Sequence, residues 1–87
     1  MTPLKTELAA FIEKNLIGSE RKIAVDDNTP LIEEGIIDSM GLMQIVSFLE
    51  ERAGVRVPDE EVGPDNFETL EAIDQMVKRL QEHQARR

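Results

Sequence analysis

Three stretches of this chain set apolar residues at helical spacing, and no stretch of useful length sets them at strand spacing. Leu4, Leu8, Phe11, Ile12 and Leu16 form the first series. Leu42, Ile45, Val46, Leu49 and Ala53 form the second, and Leu70, Ile73, Val77 and Leu80, with Met76 beside them, the third. Each series falls on one face of a helix and leaves a polar face for solvent. Ile23–Val25 and Val55–Val57 are too short to read as alternating strands. The spacing predicts an all-α fold with helices over about 3–17, 39–53 and 68–82, and a short or irregular piece over 59–67. At 87 residues the chain is expected to form a single domain, 1–87.

The stop and start residues agree with this division. Thr2-Pro3 suits a helix start, with Thr2 as cap and Pro3 in the first helical position. Gly18 and Gly54 suit helix ends. Asp38 is the expected cap of the second helix, and Thr69 or Asn66 that of the last. Between Gly18 and Asp38 lies a long first loop, and a loop of that length in so small a domain is functional or pinned down. Leu31, Ile32, Ile36 and Ile37 are expected to pin it by entering the core. Pro30 and Gly35 fit turns.

Charge narrows the function classes. The formal net charge is -8, and it is concentrated in the middle. Residues 1–22 are net +1 and residues 75–87 net +3. Residues 23–74 hold fourteen acids against Arg52 and Arg56, net -12. Such a surface repels nucleic acid and anionic lipid, so no nucleic-acid or membrane partner is expected; basic protein surfaces are the natural counterpart. No apolar run reaches the length of a membrane span, and Met1-Thr2-Pro3 begins no signal peptide, which together point to the cytoplasm. There is no cysteine. A thiol, if the function needs one, must be supplied from outside the chain.

The segment Gly35-Ile36-Ile37-Asp38-Ser39-Met40-Gly41 puts a serine on the first turn of a helix, straight after the long loop. The hydroxyl there is expected to be accessible. The positive helix end favours a phosphate beside it, by roughly 0.3–1 kcal/mol at an exposed site. Asp38 is placed to cap the helix, and its carboxylate is a candidate for orienting a divalent metal held by a modifying enzyme. By itself, Asp-Ser at a helix start is also ordinary capping.

The stretch from Thr29 to Met40 resembles the attachment-site region of acyl and peptidyl carrier proteins. That family has a leucine-bearing loop, then Gly, two apolar residues, and Asp-Ser followed by Leu or Met. The likeness continues through Leu42–Glu51, Gly54–Glu61 and Phe67–Ile73, in order and at matching spacing. It implies a four-helix acyl-carrier-type bundle of three main helices and one short one. It further implies a 4'-phosphopantetheine, derived from coenzyme A, esterified to Ser39 with Asp38 as the flanking motif residue. Cargo, acyl or aminoacyl, would ride on the arm as a thioester. The implied partners are a phosphopantetheinyl transferase, a loading ligase or acyltransferase or synthase, and downstream enzymes that use the cargo. The chain itself is expected to perform no bond chemistry, to hold no metal and to be a monomer. The family's second helix faces partners, and the outward stripe here is Met40, Gln44, Ser47 and Glu51. Phe48 lies off the core face, either as a further contact or packed under the first loop or against the last helix. Fatty-acid carriers carry acids two and five residues after the serine, where this chain has Gly41 and Gln44. The Asp38-Ser39-Met40-Gly41 run resembles instead the discrete D-alanyl or aminoacyl carriers, which are loaded by an adenylating ligase.

Other readings fit less well. A calcium loop starting at Asp26 fails, with Pro30 at its fifth position and Ile37 at its twelfth. His83 is the only histidine and lies at the end of the last helix, so no Ser-His-Asp arrangement is credible. Glu33-Glu34 and Asp59-Glu60-Glu61 read as solvated loop charges. The remaining alternative is a small acidic helical interaction adaptor without a prosthetic group, in which Ser39 is only part of a helix start.

Overall fold

A computed structural model describes residues 3–17 and 24–85. Helix α1 spans Leu4–Ile12 and continues as a wider π-helical segment, Glu13–Ile17. Helix α2 spans Ser39–Arg52, α3 is the single turn Pro64–Phe67, and α4 spans Leu70–Ala85. A 3₁₀ turn, Asp59–Glu61, precedes α3. No strand occurs among the described residues, and no described helix is long and apolar enough to cross a membrane.

The apolar stripes close on one another. Leu8, Ile12, Ile45, Leu49, Phe67, Leu70, Ile73, Met76 and Val77 are essentially without solvent contact. Leu31 joins them from the long loop, and Val55 and Val57 from the extended link after α2. The tilted Phe11–Phe48 pair, with ring centroids 4.6 Å apart, ties α2 to α1, and the Arg52 guanidinium stands 5.8 Å from the Phe48 ring. Phe48 is half-buried against the core and meets α1 through Phe11. The pairing is possible because Phe11 sits toward the edge of its own stripe, half-buried, with a ring left to cover.

Helix ends follow capping chemistry, with shifts from the expected positions. Pro3 is itself the cap of α1, and its carbonyl accepts from the N–H groups of Thr6 and Glu7 at 3.1 Å. Thr2 and Gly18, the expected cap and stop, lie outside the described residues. Helix α4 begins at Leu70, later than Glu68, because Thr69 takes the cap: its hydroxyl accepts from Ala72 N–H at 3.0 Å. Asn66, the other candidate, instead donates to the Glu61 carbonyl at 2.9 Å. Helix α4 also runs three residues past the expected end. Gln84 in that last turn makes a two-way hydrogen bond with the backbone of Arg56, accepting from its N–H at 3.0 Å and donating to its carbonyl at 2.7 Å. This pair fastens the link Gly54–Pro58 to α4.

The long loop is held at several points. Leu31 N–H donates to the Glu68 carbonyl at 2.8 Å, and the Leu31 carbonyl accepts from both Ile36 and Ile37 N–H. Gly35 turns the chain between them with φ of 72°, a left-handed value that costs a side-chain-bearing residue free energy. Leu31, Ile36 and Ile37 are buried, but Ile32 is not: it is 36% exposed and lies on the surface. In the turn over 31–35 Leu31 takes the core and Ile32 faces outward. Lys5 of α1 reaches Asp27 in the loop at 3.0 Å and Glu71 of α4 at 2.9 Å. The hydrogen bond to Glu71, then that to Asp27, holds the ammonium well above the usual lysine range.

Candidate functional site

Ser39 is the first residue of α2 and is exposed. Two features fix its position. The loop before it is anchored through Ile36 and Ile37, both buried. The helix after it is capped by Asp38, whose Oδ1 accepts from Gly41 N–H at 2.8 Å. One carboxylate oxygen of Asp38 is thus engaged in building the helix start.

Gly41 makes this start compact. A Cβ on Gly41 would stand 3.3 Å from Asp38 Oδ1 and 3.5 and 3.6 Å from the two methyls of Leu16. With no side chain at 41, Leu16 from the π-helical end of α1 covers the first turn of α2 beside the cap. A Cβ here would meet Leu16 at ordinary contact distance and press only on the Asp38 carboxylate, which would have to give slightly.

On the other side of Ser39 lies an open groove of about 340 Å³, lined by Ile32, Ile37, Asp38, Ser39, Leu42 and Pro64. Its lining is largely apolar, and Ser39 stands in its wall. An exposed hydroxyl with a positive helix end behind it fits a phosphodiester linkage. Among the described residues there is no gathering of three or more His, Asp or Glu side chains able to hold a metal.

The outward stripe falls as expected: Met40, Gln44, Ser47 and Glu51 are all exposed. Met40 is 75% exposed, the most of any large apolar side chain described. Sequence reasoning missed Met43, which is 57% exposed. The signal was present, since positions three apart are neighbours on a helix surface and Met43 follows Met40 at that spacing. No Lys or Arg occurs in the sequence between Lys22 and Arg52.

The comparisons with known proteins agree with this geometry. Residues 14–80 match the family model described as the phosphopantetheine attachment site. The chain is 32% identical to the "Probable acyl carrier protein PigG" of Serratia sp. (strain ATCC 39006), over 92% of this chain and 91% of that one. It is 31% identical to the D-alanyl carrier protein of Streptococcus sanguinis (strain SK36), over 88% and 94%. A chain in a crystal structure described as a FAD-dependent dehydrogenase superposes with a TM-score of 0.74 at 30% identity, over 82% of this chain and 99% of that one. The chain belongs to the phosphopantetheine-binding carrier protein family. It is a carrier protein with 4'-phosphopantetheine as its prosthetic group, and the adaptor reading without one gives way. Carrier proteins are in general non-catalytic and work with phosphopantetheinyl transferases and with ligases or synthases.

Asp38→Ala should remove the Gly41 cap bond and lower stability by about 1 kcal/mol. In a domain of this size that is a fall of about 4–8 °C in the thermal midpoint. Circular dichroism melts of the two proteins check it, and an unchanged midpoint would show that the cap contributes nothing.

Proposed function

We propose that Ser39 is the attachment point of the phosphopantetheine arm, and that the exposed face of α2 presents the arm to partner enzymes. The observation that carries this reading is the setting of Ser39: exposed, on the first turn of a capped 14-residue helix, in the wall of an apolar groove. When bound, the group supplies the thiol that this cysteine-free chain lacks, and cargo is held there as a thioester. The chain's own residues do the positioning. Asp38 and Gly41 hold the helix start, Leu31, Ile36 and Ile37 anchor the loop, and Ile32, Leu42 and Pro64 offer an apolar bed. The protein makes and breaks no bonds itself.

Partner contact falls to Met40, Met43, Gln44, Ser47 and Glu51, with Glu33 and Glu34 near the groove and no base among them. The surface suits enzymes with an apolar spot inside a basic rim. A phosphopantetheinyl transferase adds the arm and an adenylating ligase loads it. The likeness to discrete D-alanyl carriers supports a small aminoacyl cargo, and the likeness to a carrier named for acyl groups keeps acyl cargo in view. The match to a chain in a structure titled as a FAD-dependent dehydrogenase supports a flavin-dependent oxidation of the carried group as one downstream step. The protein acts as a cytoplasmic monomer in which residues 1–87 form one carrier domain.

Reconstitution tests the reading. Arm-bearing protein given ATP, an amino acid and an adenylating ligase should gain the aminoacyl mass and lose it again in neutral hydroxylamine, as a thioester does. Gain of a mass that hydroxylamine leaves in place would contradict it.

A further inference from the structure

Two thioethers in water beside the attachment serine are unusual for what they forgo. Met40 and Met43 are 75% and 57% exposed, whereas Met76 in the core of the same protein is 0% exposed. The two exposed sulfurs sit one helical turn apart on α2, immediately after Ser39, and neither side chain is taken up by the core. Exposure is what makes a methionine sulfur open to two-electron oxidants, and a sulfoxide turns an apolar, adaptable side chain into a polar one.

From this geometry we infer that Met40 and Met43 form a reversible oxidation switch, in which sulfoxide formation disables the presenting face of α2 without unfolding the protein. The inference rests on the reading of α2 as that face. The oxidant is a peroxide. A lone pair on the thioether sulfur attacks one oxygen of hydrogen peroxide, the O–O bond breaks, an S–O bond forms, and water leaves with both peroxide protons. Sulfur loses two electrons and the peroxide gains them. Methionine sulfoxide reductases reverse the change by using a dithiol, which becomes a disulfide as the oxygen leaves as water. Because the chain has no cysteine, the protein before arm attachment offers no thiol to compete for the oxidant. Fold damage is not expected, since the buried Met76 is shielded and the two oxidised side chains face water.

The test uses the full chain before arm attachment, treated with hydrogen peroxide and mapped at the peptide level. Met40 and Met43 should gain oxygen at least about ten times faster than Met76. At full conversion of that pair, the thermal midpoint should be unchanged. The rate of arm attachment by a phosphopantetheinyl transferase should fall about ten-fold, and sulfoxide reductases with a dithiol should restore it. A Met40→Leu, Met43→Leu double variant should show no peroxide effect relative to its own untreated sample. Equal oxidation of Met76, a lowered midpoint, or an unchanged attachment rate overturns the switch. A Met40→Gln, Met43→Gln variant separates the causes. If it takes the arm slowly while the oxidised protein does not, the switch alone falls. If it takes the arm at the wild-type rate, the presenting role of α2 falls with it.

Discussion

Ser39→Ala should take up no phosphopantetheine at all while melting almost where the native protein does. The two halves of this result have separate causes. On the proposed reading attachment uses the hydroxyl of this residue, and removing it leaves no nucleophile at the helix start. Stability does not need it, because the cap of α2 is the Asp38 carboxylate bonded to Gly41 N–H. The Ser39 side chain faces solvent. Alanine is a better helix former than serine, so the change should stay within about 1 kcal/mol of neutral. Ser47 is an internal control. It is exposed two turns further along α2, but it sits within the helix, away from the loop, the groove and the positive helix end. Ser47→Ala removes one proposed partner contact but keeps the attachment hydroxyl, so it should still reach one arm per chain at the end point. Intact mass after incubation with coenzyme A and transferase reads all three proteins. A Ser39→Ala protein that gains the arm would move the attachment point elsewhere.

The largest loss of stability is expected from Leu31→Ala. Leu31 is 0% exposed although it sits in a loop, and its N–H and carbonyl are both hydrogen-bonded within the fold. The substitution removes buried methyls and leaves space that the surrounding helices can only partly fill. Such changes cost about 2–5 kcal/mol. Against a total of about 5–15 kcal/mol for a small domain this is a large fraction. The urea midpoint should fall accordingly, with the slope of the transition unchanged. Ile32→Ala, one residue on, should cost well under 1 kcal/mol because that side chain already lies on the surface. A Leu31→Ala cost as small as that of Ile32→Ala would contradict the anchoring of the loop through the core. The comparison bears on function, since Leu31 receives the N–H groups of Ile36 and Ile37, which lead straight into Asp38 and Ser39.

Helices were the most legible part of this protein. A stripe such as Leu70, Ile73, Val77 and Leu80 has one physical meaning, and it lies buried in α4. Turn chemistry was legible where a residue has few alternatives, as at Gly35 and Gly54, which adopt positive φ. Loop burial was only half legible. Leu31 and Ile32 look alike in the sequence, and their separation depends on a turn whose hydrogen bonds are not local in composition. The Phe11 partner of Phe48 was not legible for a similar reason: it lies 37 positions earlier in the chain, and pairing between distant helices leaves no periodic trace. The helix start at Asp38-Ser39 was legible in the sequence, and the structure has Asp38 as the cap and Ser39 as the first residue of α2. Two features beside it were not. Met43 was hidden by attention to a single column of α2. The closeness of Leu16 to Gly41 exists only once α1 and α2 are packed together.

The central claim, that this carrier bears its arm on Ser39 at the start of α2, is tested most directly by locating the arm on the native chain. The protein is loaded with transferase and coenzyme A, digested, and sequenced by tandem mass spectrometry with detection of the ejected pantetheine fragment. The account predicts one arm per chain, on the peptide that contains Ser39 and on that residue. An arm on Ser47 or any other residue, or a chain that gains no arm with transferase and coenzyme A in excess, would contradict it.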